Sequence, residues 1–168
     1  MTAPDAPLLT IVWHSRTGAA KALAAAAAEG ARAAGVARVQ LMAAADASAG
    51  CLLAAQAFLF ACPENLASMS GAMKEMFDRA YYPLLGRVEG RAYATIIAAG
   101  SDGHGAQAQL DRIATGWRLR RVAEPMICHL HAQTPESILA PKQVAAEALA
   151  NARALGALLA EGIAAGIF

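Results

Sequence analysis

Three short segments carry the side chains best suited to chemistry, and the first is Ser15-Arg-Thr-Gly18. It follows the apolar run Leu8–Trp13 and opens directly into an alanine-rich stretch. Two hydroxyls, a guanidinium and the free backbone N–H groups of a helix start are donors that suit a phosphate, and the helix dipole favours the same ligand. The P-loop pattern Gly-x4-Gly-Lys-Ser/Thr is absent. An ordinary helix start with Ser15 or Thr17 as N-cap explains the same residues.

Two further segments also follow apolar runs. Pro63–Lys74 comes after Ala57–Ala61, and Gly100-Ser-Asp-Gly-His-Gly105 comes after Ala92–Ala98. In a parallel sheet, ligands sit beyond the carboxyl ends of the strands. We therefore expect the loops 14–18, 62–70 and 99–105 to converge on one crevice that binds a phosphorylated cofactor.

The third loop has other interpretations. Gly103-His-Gly-Ala-Gln-Ala108 fits Gly-x-Gly-x-x-Ala, a dinucleotide fingerprint that also needs an acid at the end of the next strand. Glu124 precedes that strand, so a ligand-contacting loop or a plain turn fits better. Hydrolase chemistry is disfavoured because Ser101, Asp102 and His104 are too close in sequence for a triad and no Gly-x-Ser-x-Gly elbow is present.

The remaining histidines and the cysteines give weaker signals. His129 and His131 share one strand face, where edge-strand packing is favoured over a metal site that lacks a third ligand. The three cysteines, Cys51, Cys62 and Cys128, are odd in number and have neither disulfide nor metal-ligand spacing. This pattern favours a reducing cytoplasm.

The elements that position these loops alternate along the chain. We predict strands at 8–13, 37–42, 57–61, 92–98 and 126–131. We predict helices at 17–34, at 48–55, from Ser68 or Ser70 to about 81, from the third loop to about 121, and from 142 onward; 134–141 is predicted as a loop. Such alternation predicts one α/β domain over residues 1–168, a parallel sheet with helices on both faces, after a flexible tail at 1–7.

On these residues the sequence resembles the flavodoxin-like family. Ser15-Arg-Thr-Gly-Ala-Ala20 is similar to its phosphate loop, Ser/Thr-x-Thr-Gly-x-Thr. Pro63-Glu-Asn-Leu-Ala-Ser-Met-Ser-Gly-Ala-Met-Lys74 is similar to the flavin-side loop of the NAD(P)H-dependent FMN reductases, including the WrbA-type quinone reductases. The resemblance implies a three-layer α/β/α sandwich whose five-stranded parallel sheet has the order 2-1-3-4-5.

The resemblance also implies three sets of contacts with FMN. The phosphate would be held by Ser15, Arg16, Thr17, Gly18 and Ala20. The ribityl chain and one ring edge would be lined by Pro63, Glu64, Asn65, Leu66, Ala67, Ser68 and Met69. The other edge would be lined by Gly100, Ser101, Asp102, Gly103 and His104. His104 is the candidate catalytic residue, although a solvated loop histidine fits it equally well.

Two departures from the family pattern affect the expected function. Ala20 stands where a threonine is usual, which removes one hydroxyl from the phosphate site. The second and third loops contain no Phe, Tyr or Trp, whereas electron-carrier flavodoxins hold the ring between aromatics. An open ring face favours hydride transfer from NAD(P)H to quinones or similar small acceptors. The alternatives are a single-electron carrier and a non-catalytic flavin-binding module.

Composition limits the partners. A formal net charge of +1 disfavours nucleic acid, and no apolar run is long enough for a membrane span. The tract Tyr81-Tyr-Pro-Leu-Leu85 is core or a dimer contact, and the resemblance favours a homo-oligomer, dimer or tetramer. Arg118, Arg120 and Arg121 could meet the 2′-phosphate of NADPH or an acidic partner, but a solvated helix face is favoured.

Overall fold

The structure is a computed structural model that describes residues 6–168. Residues 1–5 of the predicted tail therefore lie outside the described residues. The next two residues are held against Arg38: the Pro7 carbonyl accepts from its backbone N–H at 2.8 Å, and the Ala6 carbonyl accepts from its Nε at 2.9 Å.

Five strands form the parallel sheet, and two further strands are only two residues long. In chain order they are β1 Leu8–Trp13, β2 Arg38–Ala43, β3 Ala57–Asn65, β4 Ser68–Met69, β5 Ala92–Ala99, β6 Arg120–Arg121 and β7 Met126–His129. The order across the sheet is β2-β1-β3-β5, and β6 and β7 pair in succession with the outer side of β5. The predicted order 2-1-3-4-5 is confirmed for the five longer strands.

Helices cover both faces of the sheet, as predicted. They are α1 Ala19–Ala34, α2 Ala49–Ala54, α3 Gly71–Leu84, α4 His104–Gly116, α5 Pro135–Leu139 and α6 Ala146–Ala164. Leu9 and Ile11 of β1 face a core shared with α1 and α6, and Val12 faces the core of α3 and α4. Since β1 is buried on both faces, it reads as a continuous apolar run rather than an alternating one.

The alanine-rich stretch of α1 has a packing role. A Cβ added at Gly30 would clash with the Arg153 carbonyl, and one added at Gly156 would clash with the Ala27 carbonyl. Helices α1 and α6 therefore approach closely, which only small side chains at the contact allow. The buried alanines between residues 24 and 31 fill this contact.

Several predicted boundaries are wrong on the α3 and α4 side. The segment 62–70 is an antiparallel hairpin rather than a loop, because Glu64 and Asn65 extend β3 and pair with Met69 and Ser68. Helix α3 continues to Leu84 instead of about 81, with Pro83 in its last turn. Helix α4 stops at Gly116 instead of about 121, since the chain reverses at Arg118, whose φ is 56°.

The C-terminal third also differs from the prediction. Strand β7 ends at His129 instead of 131, helix α5 forms inside the predicted loop 134–141, and α6 begins at Ala146 instead of 142. The signal for α5 was present in the sequence: Thr134 and Ser137 form a capping box, with Pro135 at the first helical position.

Candidate functional site

The loop 14–18 turns sharply at Gly18, the N-cap of α1. Its φ is +101°, a conformation that glycine adopts without strain, and no side chain caps the helix. Instead, the Ser15 hydroxyl accepts a hydrogen bond from the Gly18 N–H at 3.0 Å, which closes the turn. The alternative of a helix start with Ser15 or Thr17 as N-cap is therefore wrong.

This turn leaves a concentrated set of donors without acceptors. The backbone N–H groups of Arg16, Thr17, Ala19 and Ala20 donate to no atom of residues 6–168. The Arg16 guanidinium and the Thr17 hydroxyl likewise have no partner among those residues, and a helix of 16 residues begins here. The corner therefore fits a phosphate dianion, although the buried Ala20 side chain brings no hydroxyl.

His14 joins this loop to the second one. It directly follows β1, and its Nδ1 is hydrogen-bonded to the hydroxyl of the buried Ser70 at 2.8 Å. Burial lowers the pKa of His14 below 6.5, and the charge of Arg16 lowers it further. His14 was not among the predicted site residues; the available signal was a polar side chain placed directly after a buried strand, at its carboxyl end.

Cys62 also contacts Ser70, the residue that bonds His14. Ser70 is the N-cap of α3, and its backbone N–H donates to the Cys62 thiol. Burial raises the pKa of Cys62 to about 12, and the hydrogen bond from Ser70 only partly opposes this shift. The thiol is therefore protonated at neutral pH, and Cys62 serves as a buried packing group rather than a nucleophile.

The hairpin β3–β4 is clamped onto the start of α4. The carboxylate of Glu64 accepts hydrogen bonds from the Gly103 N–H at 2.8 Å and the Ala106 N–H at 2.9 Å. The Met69 N–H donates to the side-chain oxygen of Gln109 at 2.9 Å. The Glu64 side chain is thus turned toward α4, and it occupies the N–H groups that a pyrophosphate would need under the dinucleotide interpretation.

The backbone at the tip of this hairpin adopts an unfavourable conformation. Leu66 and Ala67 have φ values of 52° and 58°, the left-handed signs of a two-residue hairpin turn that usually contains Asn-Gly. The Leu66 side chain is fully exposed. Strained non-glycine residues cluster at ligand sites, where surrounding structure holds them in place.

The third loop is tightly packed around its glycines. A Cβ at Gly103 would lie 2.5 Å from the Ile127 methyl group, and one at Gly100 would lie 2.7 Å from the Ala132 carbonyl oxygen. Asp102 accepts at its carboxylate from His104 Nδ1, at 2.8 Å, and at its carbonyl from His129 Nε2, at 2.9 Å. His104 itself is exposed at the first position of α4.

The structure brings the three predicted loops to one edge of the sheet and separates other candidates from it. Arg120 pairs with Ala92, at the amino end of β5, so the arginines at 118–121 lie at the opposite end of the sheet. Two cavities, of about 370 and 410 Å³, are lined by residues outside the three loops: one beside Trp117, and one between β7 and α6 whose lining includes His129, the partner of Asp102.

Two further features of the described residues concern metal ions and membranes. No cluster of three or more His, Cys, Asp or Glu side chains within residues 6–168 could hold a metal ion, and the rings of His129 and His131 are 6.4 Å apart. In the same range, no helix has the length and apolarity needed to cross a membrane.

Comparison with solved structures shows the fold. A WrbA-like flavodoxin from Agrobacterium tumefaciens superposes with a TM-score of 0.75 at 20% identity, over 96% of this chain and 99% of that chain. A flavodoxin from the domain Archaea has a TM-score of 0.75 at 17% identity, over 93% and 98% of the two chains. A flavone reductase has a TM-score of 0.71 at 18% identity, over 99% of this chain and 64% of that chain.

Sequence comparison shows the family. A search of curated proteins found no significant match. The model of the NADPH-dependent FMN reductases, however, matches residues 43–127, which is slightly more than half of the chain and includes the hairpin and the third loop. Together with the flavodoxin-like fold, this match makes the chain a flavin-binding oxidoreductase that belongs to the NADPH-dependent FMN reductase family.

Proposed function

We propose that this protein binds FMN non-covalently at the carboxyl edge of its sheet and transfers hydride from NAD(P)H to quinones or similar small acceptors. Bound FMN would supply a ring that accepts a hydride and passes it on. In the net reaction, NAD(P)H, one proton and a quinone give NAD(P)⁺ and a hydroquinone. The NADPH dependence of the family to which the chain belongs supports the nicotinamide donor.

The donors of the loop 14–18 are the observation that carries this proposal. Four backbone N–H groups, the Thr17 hydroxyl and the Arg16 guanidinium lie within residues 16–20, at the start of α1, with no acceptor among residues 6–168. Such a set binds a phosphate dianion with the help of the α1 dipole. FMN, the flavin named in the description of the family, carries a phosphate that these donors suit.

Two features favour hydride transfer over single-electron transfer. The hairpin segment 63–69 and the third loop contain no Phe, Tyr or Trp side chain to cover the faces of the flavin. A donor and then an acceptor can therefore stack on the open face. Within the third loop, His104 is held through Nδ1 by Asp102, which leaves Nε2 free to exchange a proton with the acceptor.

The oligomer and the compartment are further parts of the proposal. Tyr82 and Leu85 are 80% and 58% exposed at the end of α3, which supports a contact between copies of the chain in a homo-oligomer. The three cysteines are free, which fits the cytoplasm that we infer.

The absorption spectrum of freshly purified protein tests the cofactor. We expect the visible bands of an oxidised flavin, their loss on adding NADPH or NADH without air, and their return on adding menadione, a naphthoquinone. Protein that binds FMN but oxidises neither nucleotide with any quinone would support the non-catalytic module. A redox titration with two well-separated one-electron steps would support the electron carrier.

A further inference from the structure

The segment 130–145, which we call the strap, joins two loops of the proposed flavin site. At one end, the Ala132 N–H donates to the Gly100 carbonyl at 3.1 Å. At the other end, the Lys142 N–H donates to the Thr17 carbonyl at 2.8 Å. The strap therefore runs along the carboxyl edge of the sheet, from the third loop to the phosphate loop. It lies outside the residues matched by the family model.

Helix α5, in the middle of the strap, is closed at both ends by side chains. Thr134 and Ser137 form a reciprocal capping box at its start. At its end, the Lys142 ammonium donates to the carbonyls of Ser137, Ile138 and Ala140 at 2.6, 2.9 and 2.6 Å. A helix of five residues is marginal alone, so these contacts hold it as a fixed element.

This fixed helix presents two aliphatic side chains to solvent. Ile138 is 52% exposed and Leu139 is 78% exposed. The hairpin tip presents another exposed aliphatic side chain, the fully exposed Leu66. The strap and the hairpin lie on opposite sides of the sheet edge. The strap leads into α6, which packs on the same face of the sheet as α1. The Ala67 carbonyl of the hairpin packs against Gly105 of α4, on the opposite face.

We propose that Ile138 and Leu139 form the acceptor wall of the flavin crevice and select flat, apolar acceptors over small polar ones. This inference rests on the function proposed above. The position of the strap indicates which molecule would contact the wall. The strap is hydrogen-bonded to Thr17 and Gly100, residues of the loops that would hold the phosphate and one edge of the ring. An apolar molecule stacked on the open ring face would cover both side chains, and burying each one favours its binding.

The test compares two acceptors in steady-state kinetics of the FMN-loaded protein. Menadione must stack on the ring, whereas ferricyanide takes single electrons at an exposed edge without stacking. The variant Ile138→Ser/Leu139→Ser is expected to lower kcat/KM for menadione by about tenfold, the effect of losing part of an apolar contact, while ferricyanide turnover and the Kd for FMN stay within about twofold.

Two further variants sharpen the test. Leu158→Ser removes a side chain that is 44% exposed on α6 and should leave both acceptors unchanged. Lys142→Met keeps the side-chain length but releases the three carbonyls of α5, so it should lower menadione turnover in the same direction as the double variant.

The outcomes separate this proposal from the function on which it rests. Wild-type protein that reduces neither ferricyanide nor menadione would overturn the proposed function, and the wall with it. Wild-type activity with an unchanged menadione-to-ferricyanide ratio in the double variant would overturn the wall alone. Dissociation of an oligomer in size-exclusion chromatography, with the ratio unchanged, would assign Ile138 and Leu139 to a contact between copies instead.

Discussion

Glu64 and Gly103 are joined by a 2.8 Å hydrogen bond across 39 positions of sequence, from a hairpin carboxylate to the backbone N–H at the start of α4. The second carboxylate oxygen accepts from the Ala106 N–H at 2.9 Å. The carboxylate thus takes the position that an external anion would otherwise occupy at this helix start. It also ties two of the three loops of the proposed flavin site into one rigid unit.

Removing this carboxylate should destabilise the fold. We expect Glu64→Ala to lower the free energy of unfolding by about 1.5–3 kcal/mol, because two backbone N–H groups lose a charged acceptor. Urea denaturation measures the change. The matched control is Glu75→Ala, which breaks only a surface ion pair with Arg79 and should cost less than about 0.5 kcal/mol. Equal losses in the two variants would contradict the role given to Glu64.

Two glycines of α4 should respond to alanine in opposite directions. A Cβ at Gly105 would clash with the Ala67 carbonyl of the hairpin, so Gly105→Ala should destabilise the protein by about 1–3 kcal/mol. A Cβ at Gly116 meets no atom, so Gly116→Ala should stabilise it by up to about 1 kcal/mol through helix propensity. Thermal unfolding compares them, and a stabilised Gly105→Ala variant would show that the hairpin is not packed on α4.

The phosphate loop should control FMN affinity. We expect Arg16→Ala/Thr17→Ala to weaken FMN binding by about 2–5 kcal/mol, since each charge-assisted hydrogen bond contributes about 1.5–3 kcal/mol. Quenching of flavin fluorescence on titration measures the Kd. Arg32→Ala, at the other end of α1, is the control and should bind FMN like wild type. An unchanged Kd in the double variant would mean that the phosphate binds elsewhere.

His14 should make stability depend on pH. Burial and the charge of Arg16 lower its pKa in the folded protein, so below pH 6.5 the unfolded chain binds a proton that the native state resists. The free energy of unfolding should therefore decrease as the pH falls from 6.5 toward the lowered pKa, and this contribution should be complete above 6.5. Urea midpoints at about pH 7.5 and about pH 5.5 measure the difference.

The matched variant for this prediction is His14→Gln. It should shrink the difference between the two pH values, because its side chain does not titrate. A difference that is the same in His14→Gln as in wild type would assign the pH dependence to other groups.

Features that are local in sequence were predictable from it. The strand, turn and helix around Ser15–Gly18 need only neighbouring residues, and the alternation of apolar runs with helical stretches predicted a parallel sheet covered by helices. The strand order followed from the family resemblance and not from the alternation. The crevice followed from the same alternation, because parallel strands bring their carboxyl ends to one edge. The hairpin was missed because Pro63 marks a loop in most sequences, whereas here it pairs with Ala98 within β3.

Contacts between distant residues were decided only by the tertiary structure. His14 meets Ser70 across 56 positions, Glu64 reaches α4 across 39, and Lys142 returns to Thr17. No periodicity or spacing predicts these pairs, because each depends on how helices and loops pack after the sheet has formed. The sequence by itself thus determined the α/β class of the fold and the loop suited to a phosphate, and its family resemblance supplied the order of the strands. The packing of the hairpin and the strap decided which side chains surround it.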